Sequence, residues 1–148
     1  MRTLLATATA MFLLAGAAAA QPAGATADTP AKMRSVVRAW SARLNANDNP
    51  GASRLFSLPA VVSQAGLAYR LDTVKQLSIW HRALPCGGTI SRIIVRGRFA
   101  TAVLTLRERK GHTCDTPGVE AAARLEIVSA KIRTWVQVAV PPPTGPIA

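Results

Sequence analysis

The chain has 148 residues, with 18 lysines and arginines against 7 aspartates and glutamates, a formal net charge of +11, 49% hydrophobic residues, 5% aromatics and two cysteines. That is the length of one domain. The hydrophobic fraction excludes a disordered chain, the lack of a glycine period or sustained heptads excludes a fibrous one, and two cysteines cannot staple a disulfide-scaffold miniprotein.

The first twenty residues read as an address. Arg2 is followed by an apolar run from Leu4 to Leu14 and by Ala17-Ala18-Ala19-Ala20 before Gln21. A charged start, a short greasy middle and a small-residue exit make a secretory signal peptide over residues 1–20. The alternative, an uncleaved membrane anchor, is disfavoured because the stretch is alanine-rich and short of the roughly 20 strongly apolar residues that span a bilayer. Residues 21–30, built of Ala, Thr, Gly and Pro with one charge, predict a flexible leader. The folded part is expected over residues 31–140, and the proline-rich residues 141–148 predict an extended tail.

Met33, Val36, Val37, Trp40 and Leu44 recur at three- and four-residue steps, which predicts an amphipathic helix over residues 31–45. After Asn45 to Asp48, Asn49 is placed to cap a short second helix with Pro50 at its first position, and Pro59 to end it. Residues 60–64 lean towards strand, residues 66–71 read as a connection, and Asp72 is placed to cap a third helix carrying Val74, Leu77, Trp80 and Leu84 on one side. From Thr89 onward the period changes to two. Residues 89–96 and 99–108 predict a hairpin across Gly97, and residues 121–127 and 132–140 a second one across Ser129-Ala130. Helices followed by a strand meander predict an α+β fold with the helices packed on one face of an antiparallel sheet.

Several residues carry candidate chemistry. Cys86 and Cys114, in an exported chain, are expected to pair, closing a loop for which chain entropy gives roughly 3–4 kcal/mol. With His81 and His112 the two cysteines also compose a zinc-type quartet, but the spacings are not those of a finger and an oxidising compartment disfavours thiolate ligands, so no metal is expected. His81 is either a helix C-terminal residue facing the dipole or a weak candidate for a catalytic base. Trp40, Tyr69 and Trp80 are candidate pocket-lining groups, with core packing as the plain alternative, and Gln64 is the polar side chain suited to meet a ligand. If Ser129-Ala130 is a two-residue turn and the strand runs on regularly, Thr134, Val136 and Val138 point inward. Trp135 and Gln137 then stand on the outer face as candidates for a dimer contact or, in the case of Trp135, as a lone surface Trp. The basic residues are scattered and lack interleaved aromatics, which argues against nucleic acid as a partner and leaves weak, salt-sensitive anionic surfaces. No motif for a cofactor is present.

Val37-Arg38-Ala39-Trp40 leading to Leu44-Asn45-Ala46-Asn47-Asp48, then Ala52 to Phe56 with a strand after it, the glycine-ended third helix and the closing Lys131-Ile132-Arg133-Thr134-Trp135 resemble the nuclear transport factor 2-like superfamily, and within it the SnoaL-like group. The resemblance covers residues 31–140. It implies a cone, a curved sheet wrapped against helices around a pocket, and a homodimer. Members that enolise ketosteroid-like substrates carry an acidic base on the strand after the second helix, where this chain has Ser63-Gln64-Ala65, and a helix-borne Tyr where this chain has Trp40. Ala130 also stands where the last turn usually has Gly. Lacking the base is evidence against that chemistry. The reading is therefore an exported domain that binds a small apolar or amphipathic molecule, or a protein partner, without catalysis. The alternatives are an isomerase, cyclase or dehydratase in the same pocket, with His81 or a repositioned Asp as base, and an interaction module using the basic surface.

Overall fold

The structure is a computed structural model that describes residues 27–143; the expected signal peptide, most of the leader and the end of the tail lie outside the described residues. Helix α1 (Pro30–Asn45) starts where Thr29 accepts the Lys32 N–H and Pro30 fills the first turn, and it buries the predicted stripe from Met33 to Leu44. Helix α2 (Asn49–Ser53) is capped by Asp48, which accepts the Gly51 N–H at 2.9 Å, and not by Asn49. Strand β1 (Phe56–Gln64) and strand β2 (Leu67–Leu71) follow, then helix α3 (Val74–Ala83), whose cap is Thr73 and not Asp72. Thr73 and Gln76 satisfy each other's backbone in a capping box. Strands β3 (Gly87–Arg96), β4 (Phe99–Arg107), β5 (Glu120–Val128) and β6 (Lys131–Val138) complete the chain.

All six strands form one sheet in the order β2-β1-β6-β5-β4-β3. It is mixed where an antiparallel sheet was expected, because β1 lies parallel to β6 while every other neighbouring pair is antiparallel. The stretch read as a connection is the second arm of a hairpin. Its turn, Ala65-Gly66, has φ of 50° and 80°, the left-handed pair that matches strand twist. Pro59 does not end a helix; it lies within β1, in the irregular stretch between Phe56 and Val61 where the ladder to β6 is interrupted, so its missing N–H costs no ladder bond. The helices cover the concave face of the sheet, and the core runs from the α1 stripe through Ala52 and Leu77 to Ala102, Leu125, Ile127 and Ile132.

Two local features set how the sheet presents its side chains. Ile127 pairs with Ile132, yet Glu126 pairs with Thr134, so Arg133 is an extra residue that flips the face of everything after it. Thr134, Val136 and Val138 consequently share the convex side, whereas Trp135 joins Leu125 on the concave side. The turn before it places Ser129 and Ala130 at φ of 53° and 57°, a conformation costing L-residues roughly 1–2 kcal/mol each. Asp28 answers the turn with both carboxylate oxygens 3.0 Å from the Ala130 N–H. Asp28, expected in a flexible leader, thus ties the start of the domain to its last hairpin, while Thr29 beside it caps α1. At the other terminus, Arg92 donates to the Pro141 carbonyl, and Pro141 and Pro142 line a groove on the convex side.

Where α1 and α3 end, a buried cation sits among the terminal carbonyls. Arg109 donates to Leu44 O at 3.4 Å, to His81 O at 2.9 Å and to Arg82 O at 3.1 Å, and also to Asn49 Oδ1 at 3.1 Å. None of these partners is a carboxylate. The negative ends of two helix dipoles hold the guanidinium instead. Asn45 adds a second clamp, exchanging two 2.9 Å hydrogen bonds with the backbone of Gly88. The approach is close enough that a Cβ at Gly87 would stand 2.2 Å from Asn45 Oδ1, so only glycine fits there. Arg109→Leu, which takes the charged donor from the Arg82 carbonyl and Asn49 Oδ1 and leaves Leu44 O and His81 O only their backbone N–H partners, is expected to lower stability by about 3 kcal/mol in urea unfolding, with Arg109→Lys recovering part of the loss.

Candidate ligand cavity

The strand ends meet the helix ends around a cavity of about 220 Å³ in the mouth of the cone. Its inner wall is aromatic and aliphatic, with Trp40 from α1, Trp135 from β6 and Leu104 from β4 among its members. Its rim carries the polar groups: Gln64 at the end of β1, Gln137 near the end of β6, and Asp115 with Thr116 from the loop between β4 and β5. Cys86 and Cys114 are joined in a disulfide that ties this loop to the start of β3, and Cys86 is itself part of the wall. The bonded sulfurs have no thiolates to offer a metal, and among the described residues no group of three or more His, Cys, Asp or Glu side chains is gathered for one.

Of the residues singled out in the sequence, Trp40 and Gln64 line this cavity. Tyr69 and Trp80 line an adjoining, more open groove of about 550 Å³ between β2 and α3, which Gln64 also borders. Trp135 and Gln137 correct the expected outer-face placement. The Arg133 bulge turns both inward, Trp135 is only 6% exposed, and Gln137 lines the cavity while accepting the Ala65 N–H at 3.1 Å. Trp135 packs against Trp40 and Trp80 with ring centroids 6.3 and 5.0 Å away, and its indole N–H has no hydrogen-bond partner. Sequence reasoning missed Asp115 and Thr116, which read as a loop; proximity of Asp115 to Cys114 was the available signal, because pairing that cysteine with Cys86 draws the loop over the sheet.

His81 faces no cavity. It is 0% exposed, between α1, α2 and α3. Trp40 Nε1–H donates to His81 Nε2 at 3.1 Å, and His81 Nδ1 lies 2.9 Å from Leu77 O and 3.0 Å from Ser53 Oγ. An indole N–H can only donate and a carbonyl can only accept, so the proton sits on Nδ1 and the ring is neutral. Ser53 gives its own proton to Asn49 O at 2.7 Å, leaving its oxygen free to accept from Nδ1. Burial pushes the imidazole down from 6.5 to about 4, with the nearby Arg109 charge acting in the same direction and the Leu77 bond opposing both. The candidate base is thereby a structural hub, with both nitrogens engaged and no access to a substrate.

No protein-family model and no curated protein matches the chain. Solved structures do. A nuclear transport factor 2-like protein of unknown function from Cytophaga hutchinsonii superposes with a TM-score of 0.57 at 10% identity, covering 72% of this chain and 88% of the other. A candidate ketosteroid isomerase from Kribbella flavida gives 0.61 at 19% identity, covering 82% and 88% respectively. A candidate polyketide cyclase from Sinorhizobium meliloti gives 0.58 at 18% identity, covering 72% and 98%. The chain has the nuclear transport factor 2-like fold. Within that fold the concave face is where a pocket is expected, and the described helices, none of which is long and apolar enough to cross a membrane, close one side of it.

The His81 hub gives the fold a pH dependence. The unfolded chain binds a proton near pH 6.5 that the folded chain refuses until about pH 4, so the stability this group contributes is whole above pH 6.5 and is lost as pH falls towards 4. The loss expected across that window is about 3 kcal/mol. Urea unfolding at pH 7.5, 5.5 and 4 measures it, and the His81→Gln variant should show a distinctly flatter profile over the same range.

Proposed function

We propose that this is an exported SnoaL-like domain that binds a small apolar or amphipathic molecule in its cone without transforming it. The observation that carries this reading is the division of the cavity: an apolar wall of tryptophan, leucine and alanine below a polar rim, with Asp115 at that rim the one carboxylate, and no imidazole, among the described lining residues. Proton abstraction from a carbon acid needs such a group within hydrogen-bond reach. Export is supported by the Met1 to Ala20 pattern and by a disulfide, which persists in oxidising compartments. A homodimer, as the resemblance implies, belongs to the same proposal. Its contact is to be sought on the convex sheet face around Ile94, Thr101 and Val138, since Trp135 and Gln137 face the cavity.

A second reading, an isomerase, cyclase or dehydratase, is favoured by one observation: Asp115 is a titratable group at the rim, the repositioned carboxylate such chemistry needs. The two separate cleanly. Native mass spectrometry of protein purified from its own compartment is expected to show a retained organic mass. The mass should be absent from Ala123→Phe, which fills the wall at a residue only 2% exposed. The released molecule, after incubation with the protein in deuterated water, is expected to carry no carbon-bound deuterium. Deuterium uptake that disappears in Asp115→Asn would instead establish the enzyme.

A further inference from the structure

The chain carries 18 lysines and arginines, yet among the described residues no lysine or arginine lines the cavity, and the one charged side chain that does is the carboxylate of Asp115. Arg109, which follows β4, has its guanidinium turned to the carbonyls of Leu44, His81 and Arg82 and is only 4% exposed. A ligand in the mouth therefore meets a negative rim inside a positive protein. The amide of Gln64 and the hydroxyl of Thr116 can each accept or donate a hydrogen bond beside Asp115, so the carboxylate alone sets the sign of the rim. A carboxylate or phosphate ligand would lose its hydration there with Asp115 opposing it. An ammonium keeps a charge-assisted partner while its apolar body lies against Trp40, Trp135 and Leu104.

We infer that the cavity selects a small amphipathic amine, with its protonated nitrogen at the rim beside Asp115 and its hydrocarbon inward, and excludes fatty-acid-like anions. The inference rests on the reading of the cavity as a binding site. The volume of about 220 Å³, below the roughly 300–1,000 Å³ of drug-sized sites, restricts the occupant to a short chain or a single ring. The overall charge of +11 repels a cation only at long range, and at physiological salt the field of the outer arginines is screened within about 8 Å.

Three probes of one length separate the possibilities: hexylammonium, 1-hexanol and hexanoate, titrated into the mature protein at neutral pH and followed by tryptophan fluorescence, since Trp40 and Trp135 form part of the wall. Hexylammonium is expected to bind about threefold more tightly than hexanol and about tenfold more tightly than hexanoate, the scale that a rim-exposed ion pair supports. Asp115→Asn should bring the ammonium and the alcohol to within about twofold, and Asp115→Lys should make hexanoate the tightest of the three. Added salt should narrow the wild-type spread. Equal affinities for all three probes, tightest binding of hexanoate by the wild type, or an order that survives Asp115→Asn would overturn the charge selection while leaving a binding cavity in place. Absence of any response to all three would overturn both the selection and the binding reading beneath it.

Discussion

The bond from the Trp40 indole to the His81 imidazole determines how the helices sit on the sheet. Both rings are buried and both carry a polar nitrogen, so each would be costly to enclose alone. Together they satisfy one another. The carbonyl of Leu77 and the hydroxyl of Ser53 complete the imidazole, so a single side chain binds α1, α2 and α3 in one arrangement. A purely apolar contact would tolerate sliding by a fraction of a turn, whereas this set of donors and acceptors has one solution and requires a neutral ring. Trp40 is held by its nitrogen, and its ring is what remains to form the floor of the cavity.

The rim depends on a second buried polar centre. Arg109 follows β4 and reaches back beneath the helix ends, and Lys110 donates its N–H to Asn45 O at 3.3 Å, so the start of the loop after β4 is fixed to the ends of α1 and α3. The disulfide fixes the middle of the same loop to the start of β3. Between these anchors and the Gly118 N–H bond to Leu106 O at 2.8 Å, Asp115 and Thr116 have little freedom to leave the mouth. The loop is a structural part of the cavity wall. Its polar side chains are preorganised by contacts that themselves touch no ligand.

The legible part of the fold was the part written in period. The α1 stripe, the switch from a step of 3.6 to a step of two, and the two C-terminal hairpins follow from spacing alone, because burying one face forces the pattern. What spacing could not convey was any feature made by one extra or one unusual residue. Arg133 looks like an ordinary outward residue, yet as a bulge it reverses the face of Trp135 and Gln137. Ala65-Gly66 looks like the start of a connection because Gly66 alone signals a break, while the left-handed conformation of Ala65 before it makes a hairpin. Arg109, in Arg107-Glu108-Arg109-Lys110, looks like one member of a solvated charge run, and its burial is decided by helix ends 27 to 65 residues earlier in the chain. His81 was visible as a residue of interest, but its role as a lock depends on Trp40 and Ser53, which only the packing brings to it.

The cone is shared with structures of several descriptions at 10–19% identity, and a fold shared at that level does not specify the side chains of a pocket. In this chain the strand after the second helix runs out in Ser63-Gln64-Ala65, which holds no carboxylate, and an amide cannot accept a proton from carbon. The carboxylate appears instead at Asp115, on a loop whose position depends on a cysteine pair. Moving a charge from the wall to the rim changes what it can do. At the wall it would face the reacting carbon of a buried substrate; at the rim, partly hydrated, it faces the head group of whatever enters. A carboxylate placed there acts on the charge a molecule carries at one end, which is the basis of the amine selection proposed for this cone.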